Sequence, residues 1–213
     1  MTIHPGRRSA PTLLFVSRGI TQSRDTLVNQ WAEWIAERQT GNQQTIEPIE
    51  LRRTLCLIVS LLAHMTGSLR REARETWYAA TEMFGRLAEA RGLSAGEVVD
   101  ELQHLRELLI VAIGDLIAAM PARQQLPAVL RLNRVCDTGV SNAVVGYTDA
   151  LVAKMFSKDG VPVPTADSIE ELLNQLHALE SELVTLDMQV QSEAAPTMPR
   201  RLTPQQSLRR RPH

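Results

Sequence analysis

The chain has 213 residues, of which 44% are hydrophobic, 22% are charged and only 4% are aromatic. This composition excludes global disorder, and the scarcity of aromatic residues favours packed helices over a sandwich or a barrel. The formal net charge of −1 gives no overall basis for binding nucleic acid, and the well-separated Cys56 and Cys136 are typical of buried thiols in a reducing compartment.

The first predicted helix covers residues 23–38 and carries Trp31 and Trp34 three positions apart. Residues 1–22 before it are predicted to be irregular, because proline and glycine interrupt them. No apolar run is long enough for a secretory signal or a membrane span, so we expect a cytoplasmic protein without a membrane contact.

The second and third helices follow in quick succession. The second is predicted to begin near Pro48, a favourable first-turn residue, and to end at Gly67. The third is predicted over 69–91, because large and small apolar residues repeat along one stripe. That stripe consists of Ala73, Trp77, Ala80, Phe84 and Leu87.

The start of the fourth helix is the clearest boundary in the chain. Gly92 suits the left-handed conformation that ends a helix, and Ser94 with Glu97 three residues later forms a capping-box pattern. We therefore predict that the fourth helix begins after Ser94 and continues to about Met120.

A fifth helix is predicted over 128–156, after a turn between Pro121 and Pro127. Two glycines inside this helix cost about 2 kcal/mol relative to alanine, which indicates that another backbone approaches closely. The expected neighbour is the fourth helix or a second copy of the protein. The face with small residues comprises Gly139, Ala143, Gly146, Ala150 and Ala153.

A linker at 158–165 precedes a predicted coiled-coil helix at 166–193, and an Arg/Pro-rich tail at 194–213 is predicted to be disordered. The helix contains acids but no lysine or arginine, so a parallel homodimer would place like charges opposite each other. It could pair weakly with itself, fold back onto the bundle or bind a basic partner. Its heptad seam is Ile169, Leu172, Leu176, Leu179, Leu183, Leu186 and Val190.

Several titratable residues are candidates for a chemical role. His104 in QHLREL is a weak match to a phosphoacceptor box and is interpreted as a polar flank of the helix, and His64 suits the end of a helix better than haem ligation. Asp115 and Asp137 lie in apolar surroundings, and we expect one of them to be buried and to pair with Arg106 or Arg134. The predicted protein has no metal site, no cofactor and no catalytic residue.

Three segments resemble one family of bacterial signalling domains. They are LVNQWAEW at 27–34, ARGLSAGEVVDELQHLRELL at 90–109 and VLRLNRVCDTGVSNAVVGY at 129–147. They resemble the N-terminal sensory domain of RsbR/RsbRD-type stressosome co-antagonists and related sensor histidine kinase input domains. The resemblance implies a globin-like or RsbR-N-like helical domain without haem, dimer formation and a C-terminal coiled-coil linker. We recognise no STAS, PAS, kinase or DNA-binding module after it.

The sequence thus predicts an all-α bundle of about five helices at 23–157, followed by the coiled-coil helix and the tail. The predicted function is that of a noncatalytic sensory or adaptor module of signal transduction and stress response, which forms a homo-oligomer and binds a kinase, a STAS protein or a sigma-factor regulator. The alternatives are a helical sensor for haem or a flat ligand, and a nucleic-acid regulator acting through the arginine tail. The candidate interface residues are Trp31, Trp34, Gly139, Ala143, Gly146, Ala150, Leu172, Leu176, Leu179, Leu183 and Leu186.

Overall fold

The computed structural model of the protein describes residues 11–38, 46–156 and 166–194. These ranges are almost entirely helical and contain no strand, which confirms the predicted all-α class. The predicted linker at 158–165 and the tail beyond residue 194 lie outside the described residues. The six helices are α1 (Pro11–Arg38), α2 (Pro48–Thr66), α3 (Arg74–Ala90), α4 (Ala95–Ala118), α5 (Ala122–Phe156) and α6 (Ala166–Ala194).

The core lies between α1, α2, α3, α4 and α5, and aliphatic side chains fill most of it. Trp31 of α1 and Phe84 of α3 pack in the middle with ring centroids 5.5 Å apart. Every residue of the stripe predicted for the third helix is buried, from Ala73 to Leu87. The 3.6-residue period therefore identified the inward face of α3 correctly.

Helix α1 begins at Pro11 rather than at residue 23, so residues 11–22 are helical where an irregular segment was predicted. Proline is compatible with the first turn of a helix because it has no N–H to leave unpaired. Val16 and Ile20, 2% and 0% exposed, anchor the added turns in the core. Their burial depends on tertiary contacts, whereas the positions of proline and glycine indicate only local backbone preferences.

The other boundaries differ from prediction by a few residues. Helix α3 starts at Arg74, because residues 67–73 form turns, and the capping box starts α4 as predicted. Helix α5 starts at Ala122 and includes Pro127. The side-chain amide of Gln125 donates to the carbonyls of Ala118 and Met120, which ties the start of α5 to the end of α4.

Helix α6 folds back over the bundle, where it contacts α2 and α3 and no other described helix. It runs antiparallel to α3, because Gln175 lies beside Arg86 and Glu182 beside Thr76. The helix is therefore attached to the bundle along one side.

Candidate functional site

The leucine seam of α6 faces the bundle. Leu176, Leu179 and Leu186 are buried, and Leu172 and Leu183 are half-buried against the same core. The residues predicted to form a coiled-coil seam thus pack against α2 and α3 of the same chain. Pairing of this helix with a helix of another molecule stays a prediction.

Arg53 of α2 forms the central polar contact of this interface. Its guanidinium donates to both carboxylate oxygens of Glu180, over 3.0 and 2.5 Å, and to Glu50 over 2.7 Å. The hydrogen bond with Glu180 is the main reason why the pKa of Arg53 rises above its ordinary value. A bidentate arginine–carboxylate pair fixes both distance and orientation, so it sets the register of α6 on α2.

Further polar contacts lie on either side of Arg53. The hydroxyl of Thr76 donates to Glu182 over 2.8 Å, and Nε2 of His64 lies 2.9 Å from Asp187. Glu182 and Asp187 are the acids that would oppose each other in a parallel homodimer. Each has a partner on the bundle, so this structure has the folded-back arrangement, which is one of the three possibilities left open by the sequence.

The tryptophans of α1 have different roles. Trp31 is buried, and its indole N–H donates to the carbonyl of Glu101 over 2.9 Å. Trp34 is half-buried and stacks on His104, with centroids 4.3 Å apart and an angle of 11° between the rings. The Arg38 guanidinium lies 4.5 Å from the centre of the same indole. Trp31 is thus a core residue, whereas Trp34 lies at the surface between the imidazole of His104 and the guanidinium of Arg38.

A buried ion pair that the sequence reading missed lies next to the tryptophans. Arg91 and Glu101 form two hydrogen bonds of 2.9 and 2.6 Å, with side chains only 3% and 7% exposed. Burial raises the pKa of Glu101, and Arg91 opposes that rise. The sequence contains one signal for this ion pair. Arg91 directly precedes Gly92, which suits the end of a helix, and Glu101 follows ten residues later on the next helix. A shallow surface depression beside the pair is lined by Trp34, Ile35, Arg38, Leu93, Glu97 and Glu101.

The small-residue face of α5 packs against α3. A Cβ on Gly139 would lie 2.6 Å from Cζ2 of Trp77, and one on Gly146 would overlap the backbone carbonyl of Glu82. The close neighbour is therefore α3, and the expectation of α4 at this face is wrong. Gly139, Ala143 and Gly146 are buried there, and Ala150 is half-buried. Within this chain, α3 therefore already covers the small-residue face of α5.

The two histidines considered for chemistry both have neighbours within the fold. His64 pairs with Asp187, and His104 stacks on Trp34 and lies 3.5 Å from Glu107. Among residues 11–38, 46–156 and 166–194, no three histidine, cysteine or acidic side chains lie together in a way that could hold a metal ion.

Asp137 pairs with Arg106 over 2.5 Å, as expected, although its carboxylate is 63% exposed rather than buried. None of the described helices is both long enough and apolar enough to cross a membrane.

Comparison with known proteins found no match to the chain among protein-family models, curated proteins or solved structures.

Proposed function

We propose that the protein is a noncatalytic sensory or adaptor module of bacterial signal transduction that acts by binding other proteins. Its partner is a component of a signalling system: a kinase, a STAS protein or a sigma-factor regulator. The globin-like or RsbR-N-like arrangement implied by the sequence resemblance is part of this proposal.

The observation that carries the proposal is the attachment of α6. A helix with a regular leucine seam lies on α2 and α3 and on no other described helix, through a narrow apolar stripe reinforced by polar contacts such as Arg53–Glu180. Partly exposed ion pairs contribute little net stability, because water solvates the separated charges almost as well. Because α6 contacts none of the other described helices, it can leave without separating the contacts among α1, α4 and α5, and its seam then fits a helix of another protein.

For self-association we propose a different surface, the outer face of α4 and the adjoining start of α5. Ile110, Val111, Leu126 and Leu130 are all exposed there, and a Cβ on Gly114 would meet no atom within 4 Å. The occupant is a second copy of the chain. In a two-fold antiparallel arrangement centred near Gly114, the exposed Glu107 of one copy approaches the exposed Arg123 of the other, and this pair of charges is complementary.

The adaptor role is tested by holding α6 on the bundle. Thr76→Cys and Glu182→Cys, in a Cys56→Ser background, place one thiol on α3 and one on α6 for joining by a bis-maleimide. Candidate partners are the kinases, STAS proteins and sigma-factor regulators encoded beside the gene, and binding is measured by calorimetry. We expect the joined protein to bind its partner at least about tenfold more weakly than the open one.

The matched control is the same double-cysteine protein blocked with a monofunctional maleimide, which should bind like the unmodified chain. Equal affinity of the joined and blocked proteins would exclude α6 as the binding element. Failure of every candidate to bind any form of the chain would overturn the adaptor role itself.

A further inference from the structure

Arginines are concentrated where the turn between α2 and α3 meets α5. Arg70 and Arg131 are half-buried, whereas Arg71, Arg74 and Arg134 are exposed. None of the five takes part in an ion pair with a described acid. Most other half-buried arginines of the fold, such as Arg53 and Arg106, have a carboxylate partner. The cluster therefore differs from the structural ion pairs elsewhere in the molecule.

The packing of α5 on α3 brings Arg70 and Arg131 to the same end of the helix pair. Gly139 lies against Trp77 and Gly146 against Glu82, so the two helices run side by side in the same direction. Burial and the nearby charge of Arg70 together lower the pKa of Arg131. The Nε–H of Arg70 is also buried and has no acceptor among the described residues. Bringing two like charges together partly out of water, with a donor left unpaired, is unfavourable unless an anion compensates it.

The start of α3 adds positive potential at the same place. Ala73 occupies the cap position, and no side chain accepts a hydrogen bond from the first turn. The unpaired N–H groups of a helix start attract anions and repel cations, yet Arg74 is the first residue of this helix. The acids of this stretch, Glu72 and Glu75, are exposed to solvent and form no ion pair with a described residue.

We propose that Arg70 and Arg131 form a binding site for a phosphate group, with Arg74 and the start of α3 contributing positive potential. Guanidinium groups match the oxygens of a phosphate in bidentate geometry, and the Nε–H of Arg70 gains the acceptor that it lacks. The phosphate belongs either to a small soluble molecule or to a lipid headgroup. This site is independent of the adaptor role proposed above.

Thermal unfolding of the full chain tests the site with inorganic phosphate and pyrophosphate, against sodium chloride at equal ionic strength. We expect the unfolding temperature to rise by about 3–5 °C at ten times Kd. Arg70→Gln and Arg131→Gln should each lose this shift and weaken phosphate binding at least about tenfold. Without phosphate both variants should be as stable as the unmodified protein or more so, because the repulsion between the two charges is removed.

Arg18→Gln is the control, since it removes an exposed arginine of α1 that belongs neither to this site nor to the proposed dimer contact, and it should keep the full shift. An unmodified protein that does not respond to millimolar phosphate would overturn the proposal, and so would an equal response of all three variants. Vesicles of phosphatidylglycerol, compared with phosphatidylcholine, then distinguish the two sources. Sedimentation that depends on Arg70 identifies a lipid headgroup, and a shift with phosphate alone identifies a soluble ligand.

Discussion

Ser94 and Glu97 determine where α4 begins. The hydroxyl of Ser94 accepts from the backbone N–H of Glu97, and the carboxylate of Glu97 accepts from the backbone N–H of Ser94 over 2.7 Å. These hydrogen bonds hold the pKa of Glu97 below its ordinary value of 4.5. Because both contacts are local, this boundary could be predicted from four consecutive residues.

Replacing Ser94 with alanine removes this cap. We expect Ser94→Ala to lower the free energy of unfolding by about 1 kcal/mol at pH 7, measured by urea denaturation. Since the folded-state pKa of Glu97 is lowered, its contribution is complete above pH 4.5 and is lost as the pH falls through the folded-state pKa. The cost of Ser94→Ala should therefore shrink at pH 3. Ser141→Ala, on the exposed face of α5, is the control and should be neutral.

The buried pair of Arg91 and Glu101 has a larger effect on stability. Glu101→Gln leaves the guanidinium of Arg91 buried without its counter-charge, so we expect a loss of about 3 kcal/mol in guanidinium denaturation. Glu33→Gln removes the same charge from an exposed side chain of α1 and should change the stability by less than about 0.5 kcal/mol. Similar values for the two variants would show that the buried pair is not essential to the fold.

At the scale of whole helices, glycine positions determine how closely α3 and α5 pack. A Cβ on Gly85 would overlap the backbone carbonyl of Ala143, and a Cβ on Gly146 would overlap that of Glu82. Both obstacles are backbone atoms and cannot rotate away as a side chain could. The low helix propensity of glycine is therefore offset by the close approach of two buried helices.

A pair of glycine substitutions tests this explanation. Gly146→Ala should destabilise the protein by several kcal/mol, because α3 and α5 would have to separate. Gly114→Ala should instead stabilise the dilute monomer by up to about 1 kcal/mol, because within one chain its Cβ would meet nothing within 4 Å. Thermal unfolding of both variants, with circular dichroism to verify helix content, provides the measurement. Equal effects would indicate that intrinsic propensity alone determines the outcome.

The sequence predicts local features of this fold and much less of the packing between helices. The inward stripe of α3 and the start of α4 follow from spacing within a few turns, and the structure shows both. The pattern around Gly146 indicates that a backbone is near but does not identify which one. The partner of Glu180, Arg53, lies 127 positions away in the chain. Helical periodicity within one segment cannot identify a contact between segments so far apart. The docking of α6 therefore remained one of three possibilities.

For the molecule as a whole, attachment along one side makes α6 the first element expected to open. Leu179→Ser removes a buried contact of its seam, so amide exchange in α6 should accelerate at least about tenfold. Exchange in α4 and α5 should stay unchanged, because neither helix contacts α6. Val184→Ser, at an exposed position of the same helix, is the control and should leave exchange unaltered. Acceleration throughout the protein would show that α6 unfolds together with the bundle.

The outer face of α4 leads to the last prediction, which concerns assembly. Val111 is 81% exposed and lies about one helical turn from the centre of the proposed contact, so Val111→Glu should weaken dimer formation at least about tenfold in sedimentation velocity. Ile49→Glu, an equally drastic change at a 63% exposed position on α2, should not alter it. Glu107→Arg should also weaken the dimer, because it opposes Arg123 of the second copy. Adding Arg123→Glu should restore the dimer, since the exchanged charges again attract, and a double variant as weak as Glu107→Arg would exclude this face.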